Sequence, residues 1–278
     1  MKKKMNKNLT VGLWLTGIML TLILVGFFWT PYNPETMDNA AKLSGVSFSH
    51  LMGCDNFGRD IFSRVLKGGG TTFCVALGTV AIGTVFGVII GAFTGYFGGI
   101  LDEVLMRIND VLFAFPSILL ALVFVTLLGG GTWNVIIALG IAFIPSFARI
   151  VRGEFIRCKN MDYVRSAKLA GAGNLRIMFV HILPNTVPVL LSAIMIGFNN
   201  AVLAEAGMSY LGIGVTPPDA SLGYMLSEAQ GMLTSAPWYA LGSGGAIVLL
   251  IFGVGLIGEG LQRRNGGVSG CWRSEICM

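Results

Sequence analysis

Charge is what this sequence has least of. Asp, Glu, Lys and Arg make up 12% of its 278 residues and hydrophobic residues 54%, whereas a soluble domain carries about a quarter charged residues. So small a supply cannot cover a water-facing surface. Familiar catalytic parts are missing too. No Gly-Lys pair occurs anywhere, which removes the Walker A loop whose backbone amides and lysine hold nucleotide phosphates. There is no His-Glu-x-x-His and no Gly-x-Ser-x-Gly, and His50 and His181 are the only histidines. Five cysteines (Cys54, Cys74, Cys158, Cys271 and Cys277) show no Cys-x-x-Cys spacing and read as scattered free thiols. A membrane-embedded enzyme therefore lacks its parts, and no catalytic residue, metal or cofactor is expected.

What is present is long apolar runs. Stretches 8–34, 68–101, 111–148 and 229–258 contain no Asp, Glu, Lys or Arg, and 177–204 holds only His181 as a titratable group. A spanning helix needs about 20 mostly apolar residues. The run 111–148 is too long for one span and is broken by Gly129-Gly130-Gly131-Thr132, giving two helices and a tight turn. Six spans are expected, roughly 10–29, 74–98, 111–128, 133–151, 185–206 and 239–261. A β-barrel is excluded because its strands alternate apolar and polar residues, whereas these segments are apolar all round and must satisfy their backbone groups within helices. The first run is too long for a signal-peptide core and has no small-residue cleavage site near Trp29-Thr30-Pro31, so it reads as a retained helix.

Lys and Arg collect in cytoplasmic loops. Lys2, Lys3, Lys4 and Lys7 precede the first span, and the loop 149–184 holds Arg149, Arg152, Arg157, Lys159, Arg165, Lys168 and Arg176 against Glu154 and Asp162. The tail adds Arg263, Arg264 and Arg273, while 207–238 has no Lys or Arg. Both termini are thus expected in the cytoplasm, with only the mildly acidic 99–110 against the pattern. The inner basic loops also account for a pI near 9.0, so nucleic acid is not an expected partner.

Gly83, Gly87, Gly91 and Gly95 recur every four residues and form one helix stripe. Small residues let helices approach in lipid, either within this chain's own bundle, the favoured reading, or against a second subunit. Glu205 and Glu259 fall near span ends, and Asn199 and Asn200 lie about one turn before Glu205. Polar groups at that depth line a translocation path or face the bundle and accept hydrogen bonds. A stand-alone channel or ion-coupled transporter would carry ionisable residues in mid-span or repeat symmetry between its halves, and neither is visible.

The most specific signal is the basic loop, Asp162-Tyr163-Val164-Arg165-Ser166-Ala167-Lys168-Leu169-Ala170-Gly171-Ala172-Gly173, running through His181 to Pro184-Asn185. Residues 162–170 suit a short helix stopped by Gly171 and Gly173, with Pro184 in the first turn of the next span. This stretch resembles the EAA loop of binding-protein-dependent ABC importer permeases, and the chain resembles the C-type permease of the dipeptide, oligopeptide and nickel group. Five further segments carry the likeness in register: Gly53-Cys54-Asp55 with Phe57-Gly58-Arg59-Asp60-Ile61-Phe62-Ser63-Arg64; Met106-Arg107-Ile108-Asn109-Asp110 leading to Phe115-Pro116; Ala148-Arg149-Ile150-Val151-Arg152; Ala204-Glu205 with Ser209-Tyr210-Leu211-Gly212-Ile213-Gly214 and Pro217-Pro218; and Leu256-Ile257-Gly258-Glu259-Gly260-Leu261. The family's Glu-Ala at the head of the loop is Arg165-Ser166 here, its Trp-Gly is Leu222-Gly223, and an Arg common at the start of the second span is Gly70.

The resemblance implies an all-α polytopic membrane protein with the type I importer (MetI-like) bundle. Its parts would be an N-terminal segment and first helix (1–30), an extracytoplasmic segment (31–70), a core of five helices (71–262) containing the coupling loop 149–184, and a disordered cytoplasmic tail (263–278). It implies a second permease subunit, two ATPase subunits that bind the ATP, an extracytoplasmic solute-binding protein and surrounding lipid. It also implies coupling to an ATPase through Tyr163, Arg165, Ser166, Ala167, Gly171 and Pro184. Peptides or a nickel-type complex are the implied cargo.

Overall fold

The computed structural model describes residues 7–269. They form helices α1 (Lys7–Phe28), α2 (Ile61–Phe97), α3 (Gly99–Phe113), α4 (Ser117–Leu128), α5 (Thr132–Cys158), α6 (Asp162–Leu169), α7 (Asn174–Arg176), α8 (Leu183–Tyr210), α9 (Leu222–Gln230) and α10 (Pro237–Ser269), with a π-helical turn at Ile177–Ile182 joining α7 to α8. Among the described residues the only β pairing is an isolated antiparallel bridge between Cys54 and Asp60. Five helical stretches are long and apolar enough to cross a membrane, and α3 with α4, bent by 89°, would make a sixth if the pair is one span. The outer surface is apolar, with Trp14, Leu24, Val85, Leu127 and Phe252 exposed. That suits lipid rather than water.

The bundle is closed by small residues. A Cβ on Gly87 would lie 2.5 Å from the Phe147 Cβ, and one on Gly91 2.5 Å from the Ala148 carbonyl oxygen. Gly83 faces Phe143 and Phe147, and Gly95 faces Arg152 and Phe155. The four-residue stripe therefore seats α2 on α5 of the same chain. A second seam joins α1 to α10, where Gly12 meets the Ile257 amide and Gly253 meets Thr16. Leu139, Phe143, Phe147, Phe198, Met208, Met225, Tyr239 and Leu250 fill the space between the seams.

Helix bounds differ from expectation in four places, each for a local reason. The second span begins at Ile61 rather than near residue 74. Its 37 residues reach ~56 Å at 1.5 Å per residue, so its first turns stand beyond the apolar layer. Asp60 starts it, its side chain accepting from the Ser63 amide at 2.8 Å. The expected loop 99–110 is instead the helix α3, and the expected span 111–128 breaks at Pro116, leaving only α4. Proline donates no amide hydrogen and disfavours helix in the residue before it. The expected loop 149–184 shrinks to 159–173, because α5 continues to Cys158 and helix resumes at Asn174. Pro184 lies in the first turn of α8, as expected, but a π turn precedes it, and Asn185 donates to the His181 carbonyl at 2.7 Å. Finally, α10 continues to Ser269, so the first seven tail residues are helical. Lys2, Lys3, Lys4, Cys271, Arg273 and Cys277 lie outside the described residues.

Candidate functional site

The basic loop forms a short lever. Val164 of α6 is completely buried, packed with Phe155, Cys158, Ile177, Met178 and Ile182. Tyr163 and Ala167 lie at the margin of that cluster. Burial pushes the Tyr163 phenol up to about 12, with Cys158 and Asn185 beside it, so it is an uncharged anchor. The opposite side is bare: Asp162, Arg165, Ser166 and Ala170 are exposed, and Leu169 is 90% exposed. Pro184 is exposed as well. The lever ends in a Schellman motif, in which the Gly171 amide donates to the Lys168 carbonyl and the Ala172 amide to the Ala167 carbonyl, both at 3.0 Å. Gly171 has φ +79° with open space around it, so its backbone role is the helix stop. Leu169 was not singled out by sequence, because one leucine in an eight-residue helix reads as ordinary core. Only its exposure marks it.

At the same end, α3 is strapped to α5. Arg152 makes two hydrogen bonds to Asp102 at 2.6 and 2.7 Å, and Arg149 reaches Asp110 at 2.7 Å while lying over the Phe113 ring. Two of the sequence motifs thus meet through complementary charge.

The other end is tied by buried and half-buried ion pairs that sequence reading did not find. Asp55 accepts from the Arg59 Nε and the Arg64 Nη1, both at 2.7 Å, and Glu228 accepts from Arg59 and Arg64, both at 2.9 Å. The Tyr239 hydroxyl donates to Glu228 at 2.6 Å. Burial works against the Arg59 charge, yet Glu228 and Asp55 outweigh it and raise its pKa. Two cations balance two anions, which is how charges survive burial. The Arg59 and Arg64 positions were visible in the motif, but their partner Glu228 is about 170 residues away in sequence.

Of the three candidate path residues, only Asn200 is exposed. Glu205 is wholly buried, taking a 2.7 Å hydrogen bond from Ser209, whose oxygen accepts from the Val215 amide. Asn199 is turned toward Gly255 of α10. Glu205 and Asn199 thus face the interior of the bundle, and Asn200 its outer face.

This fold can be set beside known proteins. Residues 87–266 match the family described as "Binding-protein-dependent transport system inner membrane component". The chain belongs to that family. It is 36% identical to the dipeptide transport system permease protein DppC of Haemophilus influenzae, over 93% of this chain and 90% of that one. It is 41% identical to the glutathione transport system permease protein GsiD of Salmonella paratyphi A, over 91% and 84%. Its fold resembles an inward-facing structure of the MetNI methionine ABC transporter, with a TM-score of 0.60, 18% identity and coverage of 72% of this chain and 95% of that one. The chain is thus a multi-pass inner-membrane permease subunit of an ABC importer, a transport component rather than an enzyme.

Proposed function

We propose that this permease pairs with a second permease subunit to form a path for di- or oligopeptides, driven by two ATPase subunits bound in the cytoplasm. An extracytoplasmic solute-binding protein delivers the cargo. The observation that carries the coupling part is the lever: α6 is fixed to the bundle by buried Val164 and offers Arg165, Ser166 and 90%-exposed Leu169 outward. A rigid helix presenting one bare leucine suits insertion into a cleft of a soluble partner. Arg165, in place of the Glu that the family resemblance implies, and Lys168 make this contact basic. The open space at Gly171 lets that partner approach closely, and nucleotide-driven motion there biases the spans between two states.

Peptide cargo is favoured because relatives named for dipeptide and glutathione transport are similar over most of the chain. A nickel-type complex, the other cargo of the group, has no such relative among these. The pairs from Arg59 and Arg64 to Glu228 tie the segment 31–70 to α9, supporting one docking surface for the binding protein. On α8, Asn200 shares an exposed face with Ile196 and Leu203, the face offered to the path and the second subunit. In proteoliposomes holding the complete transporter, Leu169→Asp should abolish uptake of a labelled dipeptide and its stimulation of ATP hydrolysis while subunit insertion persists. Full coupled uptake by that variant would remove the docking claim. Uptake of a nickel chelate in place of the dipeptide by the unmodified transporter would reverse the cargo assignment.

A further inference from the structure

Beside the ion-pair cluster, the segment between α1 and α2 gathers a second group of polar side chains. One nitrogen of His50, the sulfur of Cys54 and a carboxylate oxygen of Asp60 all lie within 4.8 Å of one another. Their linear spacing matches no common ligand pattern, and the fold creates the group. Cys54 and Asp60 are opposed in the antiparallel bridge, which directs their side chains to one side. The Cys54 amide is held by the Ser44 carbonyl at 2.9 Å, the Gly53 amide by the His50 carbonyl at 2.9 Å, and the His50 amide by the Ser47 hydroxyl at 3.1 Å. Gly53 has φ +70°, and a side chain there would strike Trp238 and the Ser44 carbonyl. The loop is therefore fixed in one form.

We propose that His50, Cys54 and Asp60 bind a borderline-soft divalent cation of the zinc class, as a resident ion of the α1–α2 segment and not as cargo. Thiolate, imidazole and carboxylate together suit zinc and its neighbours. Metal bonds of about 2.0–2.3 Å place tetrahedral donors roughly 3.3–3.8 Å apart, so closing a 4.8 Å triangle needs shifts of about 1 Å. The His50 and Asp60 donors, now 2.9 Å apart, must open by about half an ångström. Asp60 is already oriented: its Oδ2 accepts from the Ser63 amide at 2.8 Å and the Ser63 hydroxyl at 2.7 Å. Its Oδ1 meets only the His50 ring. Such outer support is what metal-ligating carboxylates ordinarily have. The His50 ring packs on Tyr32 at 4.7 Å between centroids. Its side chain is 20% exposed, which leaves an approach for the ion and for a water as fourth ligand. The Ser44 hydroxyl, buried beside the thiol, has no oxygen or nitrogen partner. On binding, the thiol proton leaves to solvent and the ion links the loop directly to the start of α2.

The test is Co2+ titration of the full-length chain, reduced, in detergent. The expected result is a saturable sulfur-to-cobalt charge-transfer band at one equivalent, displaced by Zn2+, with a Zn2+-dependent rise in Tm. Cys54→Ser should abolish the band and His50→Gln should weaken binding at least tenfold. Cys271→Ser and Cys277→Ser should leave both readouts intact. Asp60→Asn, which keeps a helix cap, should weaken binding without loss of metal-free folding. Absence of a saturable band in the folded wild type, or a band that survives Cys54→Ser, overturns the proposal. Either result would leave the group as a hydrogen-bonded helix cap, and neither bears on peptide uptake.

Discussion

Gly87 has no room for any side chain. Its would-be Cβ falls 2.5 Å from the Phe147 Cβ and 2.9 Å from the Ala148 amide, and neither neighbour can rotate away, because one is a Cβ and the other is backbone. Gly87→Val must push α2 off α5. Overpacking of this kind costs about 1–3 kcal/mol, so the purified chain should unfold several degrees lower in detergent. Gly17→Ala, on an exposed turn of α1 with nothing within 4 Å, should not lower the midpoint, since alanine favours helix over glycine, and serves as control. A midpoint unaltered by Gly87→Val would mean that the stripe meets something other than α5. Gly171 is required for a different reason. Space around it is open, but a non-glycine residue in left-handed geometry carries about 1–2 kcal/mol of strain. Four-residue spacing identified the stripe without saying which surface it met, and a single glycine after a short helix could not show its 3.0 Å capping bonds.

Among elements, α3 is held to α5 by charge. Arg152 reaches Asp102 with two bonds from a half-exposed position, and such pairs contribute on the order of 1 kcal/mol once solvent screening is allowed for. Asp102→Arg and Arg152→Asp should each lower the unfolding midpoint, and the double variant should recover most of the loss. Independent, additive effects would show that the strap is not a direct pair. This helix also shows where periodicity stops being informative. Long uncharged runs announced all five of the long apolar helices and the apolar part of the bent pair, because lipid requires such runs. Their ends were set by features that hydropathy does not weigh. Arg64 and Lys67 look like loop residues, yet Arg64 is buried within α2 because Glu228 and Asp55 neutralise it. Gly68 and Gly70 look like a break, yet each admits a neighbour, Met225 and Phe27 respectively. The continuation of helix from Asn174 into α8 rests on a π turn that absorbs the approach to Pro184, and no linear pattern signals it.

For the whole molecule, the question is whether the bent pair α3–α4 counts as a crossing. α2 runs from the end where Gly26 of α1 meets Leu66 to the end where Gly95 meets Phe155. After α3 and α4, Gly131 donates to the Gly214 carbonyl and Thr132 to Asp219, which shares a cleft with Phe27 and Lys67. The chain has therefore returned to its first end, although α4 alone, with 12 residues, reaches only ~18 Å. The crossing of α5 sets the Gly129–Gly131 turn and the α6 lever on opposite sides, and the clustering of Arg and Lys around the lever predicts the cytoplasm for that side. A reporter active only outside the cytoplasm should work when inserted after Gly130 and fail after Asn160, while a reporter active only in the cytoplasm should do the reverse. If both insertions report from the same side, α5, which lies between them, does not cross the membrane. If the two sides are exchanged, the lever faces away from any ATPase, and the coupling proposed for Leu169 is lost with it.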